Sequence, residues 1–120
     1  MENTFTKEPT WLTDFMGQYE NGERLGVLCH GDLWAPQILW RNDVNIGGII
    51  DWQTVHCGSP VEDILHILST CTSVKNRREL LGPLLDYYHT KMTETLEAKG
   101  HKMPFTREYL NVNESEMYHL

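Results

Sequence analysis

The chain has 120 residues, 40% of them apolar, with four tryptophans and a formal net charge of −7 from 17 acidic and 10 basic side chains. That size and apolar content fit one modest domain with a real core and exclude a fibrous or fully disordered chain. The acidic balance, with basic residues scattered apart from Arg77-Arg78, argues against a nucleic-acid surface, which needs a basic stripe to meet phosphates.

Residues 1–10 read as a polar lead-in, followed by a short helix from about Trp11 to Tyr19 that ends near Asn21-Gly22. Leu25 to Cys29 is a short apolar run and is expected to be a strand. His30-Gly31-Asp32 breaks it. Pro36 pushes Ala35 away from helical geometry, so residues 31–37 form a loop. Ile38-Leu39-Trp40 and residues 46–50 are expected to pair as a hairpin about the turn residues Arg41 to Asn45, with Gly47-Gly48 loosening the return strand.

Ser59-Pro60-Val61-Glu62 then reads as a helix start, with a capping serine, a proline at the first helical position and a glutamate three residues after the cap. The helix is expected to reach about Thr72, with Val61, Ile64, Leu65, Leu68 and Cys71 on its apolar face. A loop over residues 73–76 leads to a second helix from about Arg77 to Lys99, with a kink at Gly82-Pro83 or a short turn there before the main helix from Pro83, and stopped by Gly100. After Pro104 the chain has weak helical character around Arg107 to Tyr118 and little to bury. The resulting division is a lead-in over 1–24, a core over 25–100 and a marginal tail over 101–120. A helix, a small hairpin layer and then helices make an α+β fold.

The three cysteines, Cys29, Cys57 and Cys71, are odd in number and lack tight spacing, so reduced thiols are expected rather than a disulfide framework. No apolar stretch suits a signal peptide or a membrane span, so the expectation is a cytoplasmic protein without membrane contact.

Polar groups cluster at His30 and Asp32, at Gln37 and at Asp51. A hairpin over 38–50 sets its entrance beside its exit, which brings Gln37 and Asp51 together, and the loop holding Asp32 hangs at the same end. Oxygen ligands of this kind suit a hard cation, while a further carboxylate can orient a hydroxyl and take its proton. The plainer reading makes these side chains caps and turn contacts. Asp63, in the first turn of its helix, favours the helix dipole. His30 lacks a second ligand at zinc spacing, and the adjacent His56 and Cys57 do not face each other as a nucleophile pair would.

The segments His30-Gly31-Asp32-Leu33-Trp34 and Ile49-Ile50-Asp51-Trp52-Gln53, with Gly58 to Ile64 and the Arg77-Arg78 and Tyr87-Tyr88 region beyond, resemble the aminoglycoside/choline phosphotransferase superfamily, and within it the CHK kinase-like group. The resemblance covers about residues 25–95. It implies part of a protein kinase-like C-terminal lobe, with a catalytic-loop hairpin followed by helices. It also implies Asp32 as catalytic base, Asp51 as the main magnesium ligand on the phosphate side of ATP, and residue 37 as second metal ligand. His30 and Asp63 would support the catalytic loop. The family has Asn where this chain has Gln37, and the extra methylene sits poorly with the strict octahedral geometry of Mg²⁺.

The implied activity is transfer of the ATP γ-phosphate to a hydroxyl of a small acceptor. The residues before His30 hold no Gly-rich loop and no strand–Lys arrangement of an ATP-binding lobe. The chain is therefore expected to be a fragment or truncated form, weak or inactive by itself. Two alternatives stand beside it. One is a non-catalytic interaction module or truncated pseudokinase, with a protein partner covering the face left by the missing lobe. The other is a metal-dependent hydrolase built on His30, Asp32 and Asp51.

Overall fold

A computed structural model describes residues 17–19 and 21–118. Most of the helix expected from Trp11 to Tyr19 lies outside the described residues; residues 17–19 are helical. The described elements are strands β1 (Val27–Cys29), β2 (Ile38–Trp40), β3 (Ile46–Ile49) and β4 (His56–Gly58), then helices α1 (Glu62–Cys71), α2 (Val74–Ala98) and α3 (Arg107–Tyr118). The fold is α+β, with two small sheets and several helices, a form compatible with part of a kinase-like lobe.

The strands form two antiparallel pairs, one nested inside the other in sequence. β2 and β3 make the expected hairpin, with Ile38 opposite Ile49 and Leu39 opposite Gly48. Trp40 lies opposite Ile46, so Gly47 is the extra residue of a bulge. Around this hairpin, β1 pairs with β4, matching Val27 to Gly58 and Cys29 to His56. Strand β4 has only three residues and no alternation to announce it, and sequence reading missed it.

The core lies among the helices. Val61, Leu68, Leu81, Leu85, Phe105 and Leu110 form its buried centre, with Val27, Ile64, Leu65 and Tyr88 packed against it. The apolar face expected for α1 is therefore in place, except that Cys71 is exposed. The start of α1 departs from the capping pattern. The helix begins at Glu62, two residues late, after a turn closed by the Glu62 amide on the Ser59 carbonyl at 3.1 Å. Ser59 Oγ does accept from the Val61 amide at 3.3 Å, but Glu62 does not reach back to Ser59; it meets His56, a stronger partner.

Helix α2 starts three residues earlier than expected, because Ser73 caps it by accepting from the Asn76 amide at 3.2 Å. It also runs through Gly82-Pro83 as one element. The buried Leu81 and Leu85 lie on either side of the proline, and that packing offsets the missing backbone bond. Gly100 ends the segment at φ +79°, a left-handed conformation that favours glycine.

The expectation that the segment after Pro104 has little to bury does not hold. Leu110 and Asn113 of α3 are completely buried. Asn113 Oδ1 accepts from Tyr19 at 2.7 Å and from Ser59 at 2.9 Å, while its amide donates to the Tyr109 carbonyl at 2.8 Å. One polar side chain thus ties α3 to the segments before β1 and after β4. No helix among the described residues is long and apolar enough to cross a membrane.

Candidate functional site

The site grows from the ends of the β2–β3 hairpin. A single 3₁₀ turn, Ala35–Gln37, delivers the chain into β2 and buries the Gln37 side chain. The Ile50 amide donates to the Gln37 carbonyl at 2.9 Å, and this bond closes the base of the hairpin. Asp51 follows immediately, and Gln37 Nε2 donates to its Oδ2 at 3.1 Å. The hairpin thus joins positions 37 and 51, separated by 14 residues in sequence.

Asp51 is exposed and has φ +60°. Asp tolerates this left-handed conformation better than most residues, and single residues held there gather at functional sites.

His30 links this end of the hairpin to the preceding loop. Its ring is buried, with 2% exposure. Nε2 faces the Ile50 carbonyl at 2.7 Å, and a carbonyl only accepts, so Nε2 carries the proton. Nδ1 then accepts from the Asp32 amide at 3.2 Å. One imidazole therefore spans from the backbone of Asp32 to the residue before Asp51. With both nitrogens engaged, the ring has no lone pair left for a metal, which removes His30 from the set required by the metal-hydrolase alternative.

The backbone around His30 is held from two further directions. Asp63 on α1 accepts from the His30 amide at 2.8 Å and from the Gly31 amide at 3.1 Å, one carboxylate oxygen to each. Thr54 Oγ1 donates to the His30 carbonyl at 3.1 Å. Gly31 itself is at φ +93°, and a Cβ there would stand 2.4 Å from the Thr54 carbonyl oxygen, so only glycine fits. Trp52 packs on the His30 ring with centroids 4.7 Å apart and donates its indole N–H to the Ile49 carbonyl at 2.7 Å.

The Asp32 carboxylate lies against α1, with Oδ1 3.5 Å from His66 Nε2 and both side chains part-exposed. His66 escaped sequence reading. The available signal was its place on α1 three residues after Asp63, which puts both on one helical face.

The cation role implied for Gln37 and Asp51 fits the residues present on one condition. The amide nitrogen, rather than its oxygen, meets Asp51 here. Rotation about the last torsion of Gln37, a broad two-fold barrier, exchanges the two and lets both side chains present oxygen to a hard ion.

A family model described as "Uncharacterized oxidoreductase dhs-27" (DUF1679) matches residues 6–119. Among curated proteins, the chain is 36% identical over 98 residues to the uncharacterized oxidoreductase dhs-27 of Caenorhabditis elegans, covering 72% of the chain and 12% of that protein. It is 37% identical over 91 residues to the uncharacterized kinase-like protein D1044.1 of Caenorhabditis elegans, covering 72% of the chain and 23% of that protein. The chain thus spans less than a quarter of either relative's length. No solved structure matches it.

Proposed function

The chain belongs to the DUF1679 family, and from that premise we propose that its His30–Asp51 region is the catalytic end of a small-molecule kinase of the CHK-like phosphotransferase type. The reaction would move the γ-phosphate of ATP to a hydroxyl of a small acceptor. One observation carries this reading: Gln37 and Asp51 meet at 3.1 Å, and the His30 ring fastens the Asp32 loop to the same end of the hairpin. The likeness to a kinase-like protein supports it.

Asp32 accepts the proton of the acceptor hydroxyl and orients that oxygen. Asp51, with the turned Gln37 amide, holds a hard cation. His30, Thr54 and Asp63 keep the loop rigid, so the two carboxylates hold their separation. ATP with magnesium, when bound, supplies the phosphoryl group and neutralises its charge. Positioning is most of catalysis in this chemistry. The longer Gln37 side chain, where the resembled family has Asn, makes turnover by this chain slow.

The word oxidoreductase is carried by a protein of which this chain matches 12%. Both described sheets are antiparallel pairs, whereas a doubly wound dinucleotide site is built on parallel βαβ units.

The test uses Mn²⁺ in place of Mg²⁺. In amide spectra of the 120-residue chain, Mn²⁺ should broaden resonances around Gln37 and Asp51, and Asp51→Asn should abolish the effect. Phosphoryl transfer from ATP to a panel of small alcohols should require the metal and disappear in Asp32→Asn. Broadening centred away from residues 37 and 51 overturns the reading.

Exposed apolar side chains on the hairpin favour a second reading, a face that docks on further polypeptide. Trp40, Leu39, Val44 and Ile46 are each about half exposed or more. Hydrophobic-dye binding that survives replacement of Trp40 and Ile46 by Thr would dismiss that face.

A further inference from the structure

We propose that Cys29, His56 and Glu62 form a binding site for one zinc ion, separate from the Gln37–Asp51 pair. The three ligand atoms come from three different elements. Cys29 ends β1, His56 begins β4 directly opposite it in the strand register, and Glu62 opens α1. Cross-strand partners of this kind hold their Cβ atoms about 5 Å apart on one face. All three ligand atoms lie within 4.8 Å of one another, and His56 Nε2 is 2.9 Å from Glu62.

Zinc binds cysteine sulfur at about 2.3 Å and imidazole nitrogen at about 2.0 Å, so tetrahedral neighbours stand about 3.5 Å apart. The cluster needs only small side-chain adjustments to reach that spacing. Sulfur, imidazole and carboxylate together suit a borderline-soft ion rather than magnesium. Three protein ligands leave a fourth position for water.

The surroundings are those of a built site. His56 Nδ1 donates to the Thr54 carbonyl at 2.8 Å, the outer contact that fixes a ligand imidazole with Nε2 turned to a metal. Gly58 leaves the space open: a Cβ there would lie 2.9 Å from Glu62 Oε1 and 3.0 Å from His56 Nε2. Cys29 is buried, while His56 and Glu62 are part-exposed and provide the way in.

The exchange balances in charge. Without metal, the Cys29 thiol donates to the Ser59 carbonyl at 3.2 Å, and His56 holds protons on both nitrogens, one facing a carbonyl and one a carboxylate. Zinc replaces the thiol proton and the Nε2 proton: the S–H and N–H bonds break, S–Zn and N–Zn bonds form, and two protons leave for one dication. The summed charge of the three side chains and the ion therefore equals that of the metal-free cluster. Bound zinc would staple β1, β4 and α1 beside the His30 loop, since Cys29 precedes His30 and Glu62 precedes Asp63.

The test uses cobalt as a visible substitute in the reduced, chelator-treated 120-residue chain. The expected result is one Co²⁺ per chain, a thiolate-to-cobalt charge-transfer band and intense four-coordinate visible bands, all displaced by equimolar Zn²⁺ and untouched by excess Mg²⁺. Cys29→Ser should abolish the band, while Cys57→Ser and Cys71→Ser should leave it. Should Cys29→Ser fail to fold, Glu62→Gln serves instead, with cobalt affinity reduced at least tenfold. A folded chain with no band, a band that follows Cys57 or Cys71, or full affinity in Glu62→Gln overturns the proposal. Asp51→Asn should leave the cobalt spectrum unchanged, which separates this site from the phosphotransferase reading.

Discussion

Replacing Asp63 by Asn tests how the fold holds its catalytic loop. The wild-type carboxylate gives one oxygen to the His30 amide at 2.8 Å and the other to the Gly31 amide at 3.1 Å. Asparagine has nearly the same shape but only one accepting oxygen. One backbone N–H would face an NH₂ group and lose its partner beside the buried His30, and the surviving bond would lose its charge assistance. A lost bond to a charged group and an unsatisfied buried donor together cost about 2–4 kcal/mol. With a urea dependence of about 2 kcal/mol per molar for a chain of this size, the midpoint should fall by about 1–2 M. Urea denaturation followed by circular dichroism measures the shift. Hydrogen exchange locates it, because the amides of His30 and Gly31 should lose protection before the amides of α2. An unchanged midpoint with both amides still protected would refute the idea that Asp63 anchors the loop.

Asn113→Ala should destabilise the chain by about 2–4 kcal/mol, because it strips the acceptor from both Tyr19 and Ser59, and thermal unfolding checks this. Burial alone would lower the pKa of His56, but its bonds to the Thr54 carbonyl and to Glu62, with the charges of Glu62 and Asp63, outweigh burial and raise it above the ordinary 6.5. A raised pKa means that the folded state holds the proton more tightly than the unfolded state. This stabilisation is complete below pH 6.5 and is lost as pH rises through the folded value, so in chelator-treated buffer melting temperatures should fall over that window and His56→Gln should flatten the profile. Native-state alkylation should modify the exposed Cys71 first and Cys29 last. Burial, then the charges of Glu62 and Asp63, push the Cys29 thiol strongly upward and keep it protonated, and mass spectrometry of the labelled peptides gives the order.

The legible parts of this chain are those whose signals are local. Turn residues between the apolar Ile38-Leu39-Trp40 and the Gly-broken run from Ile46 announced the hairpin, and closing that hairpin sets Gln37 beside Asp51. The spacing of Val61, Ile64, Leu65 and Leu68 announced the face of α1, and Gly100 the end of α2. The errors fell where a distant partner outbids a local rule. Glu62 was expected to bond back to its cap, and an imidazole from β4 holds it instead. Of the two outcomes expected at Gly82-Pro83, a kink or a break, the break does not occur: the helix runs through as one element, with Leu81 and Leu85 buried on either side of the proline.

By itself the sequence determined the α+β order and one end of the candidate site, because hairpin closure and helical periodicity act over a few residues. The tertiary structure alone decided the β1–β4 pairing, the burial of α3 around Asn113, the approach of His66 to Asp32 and the meeting of Cys29, His56 and Glu62. Each of those joins residues far apart along the chain or on separate elements. Their proximity depends on how the elements pack, and no local spacing encodes it.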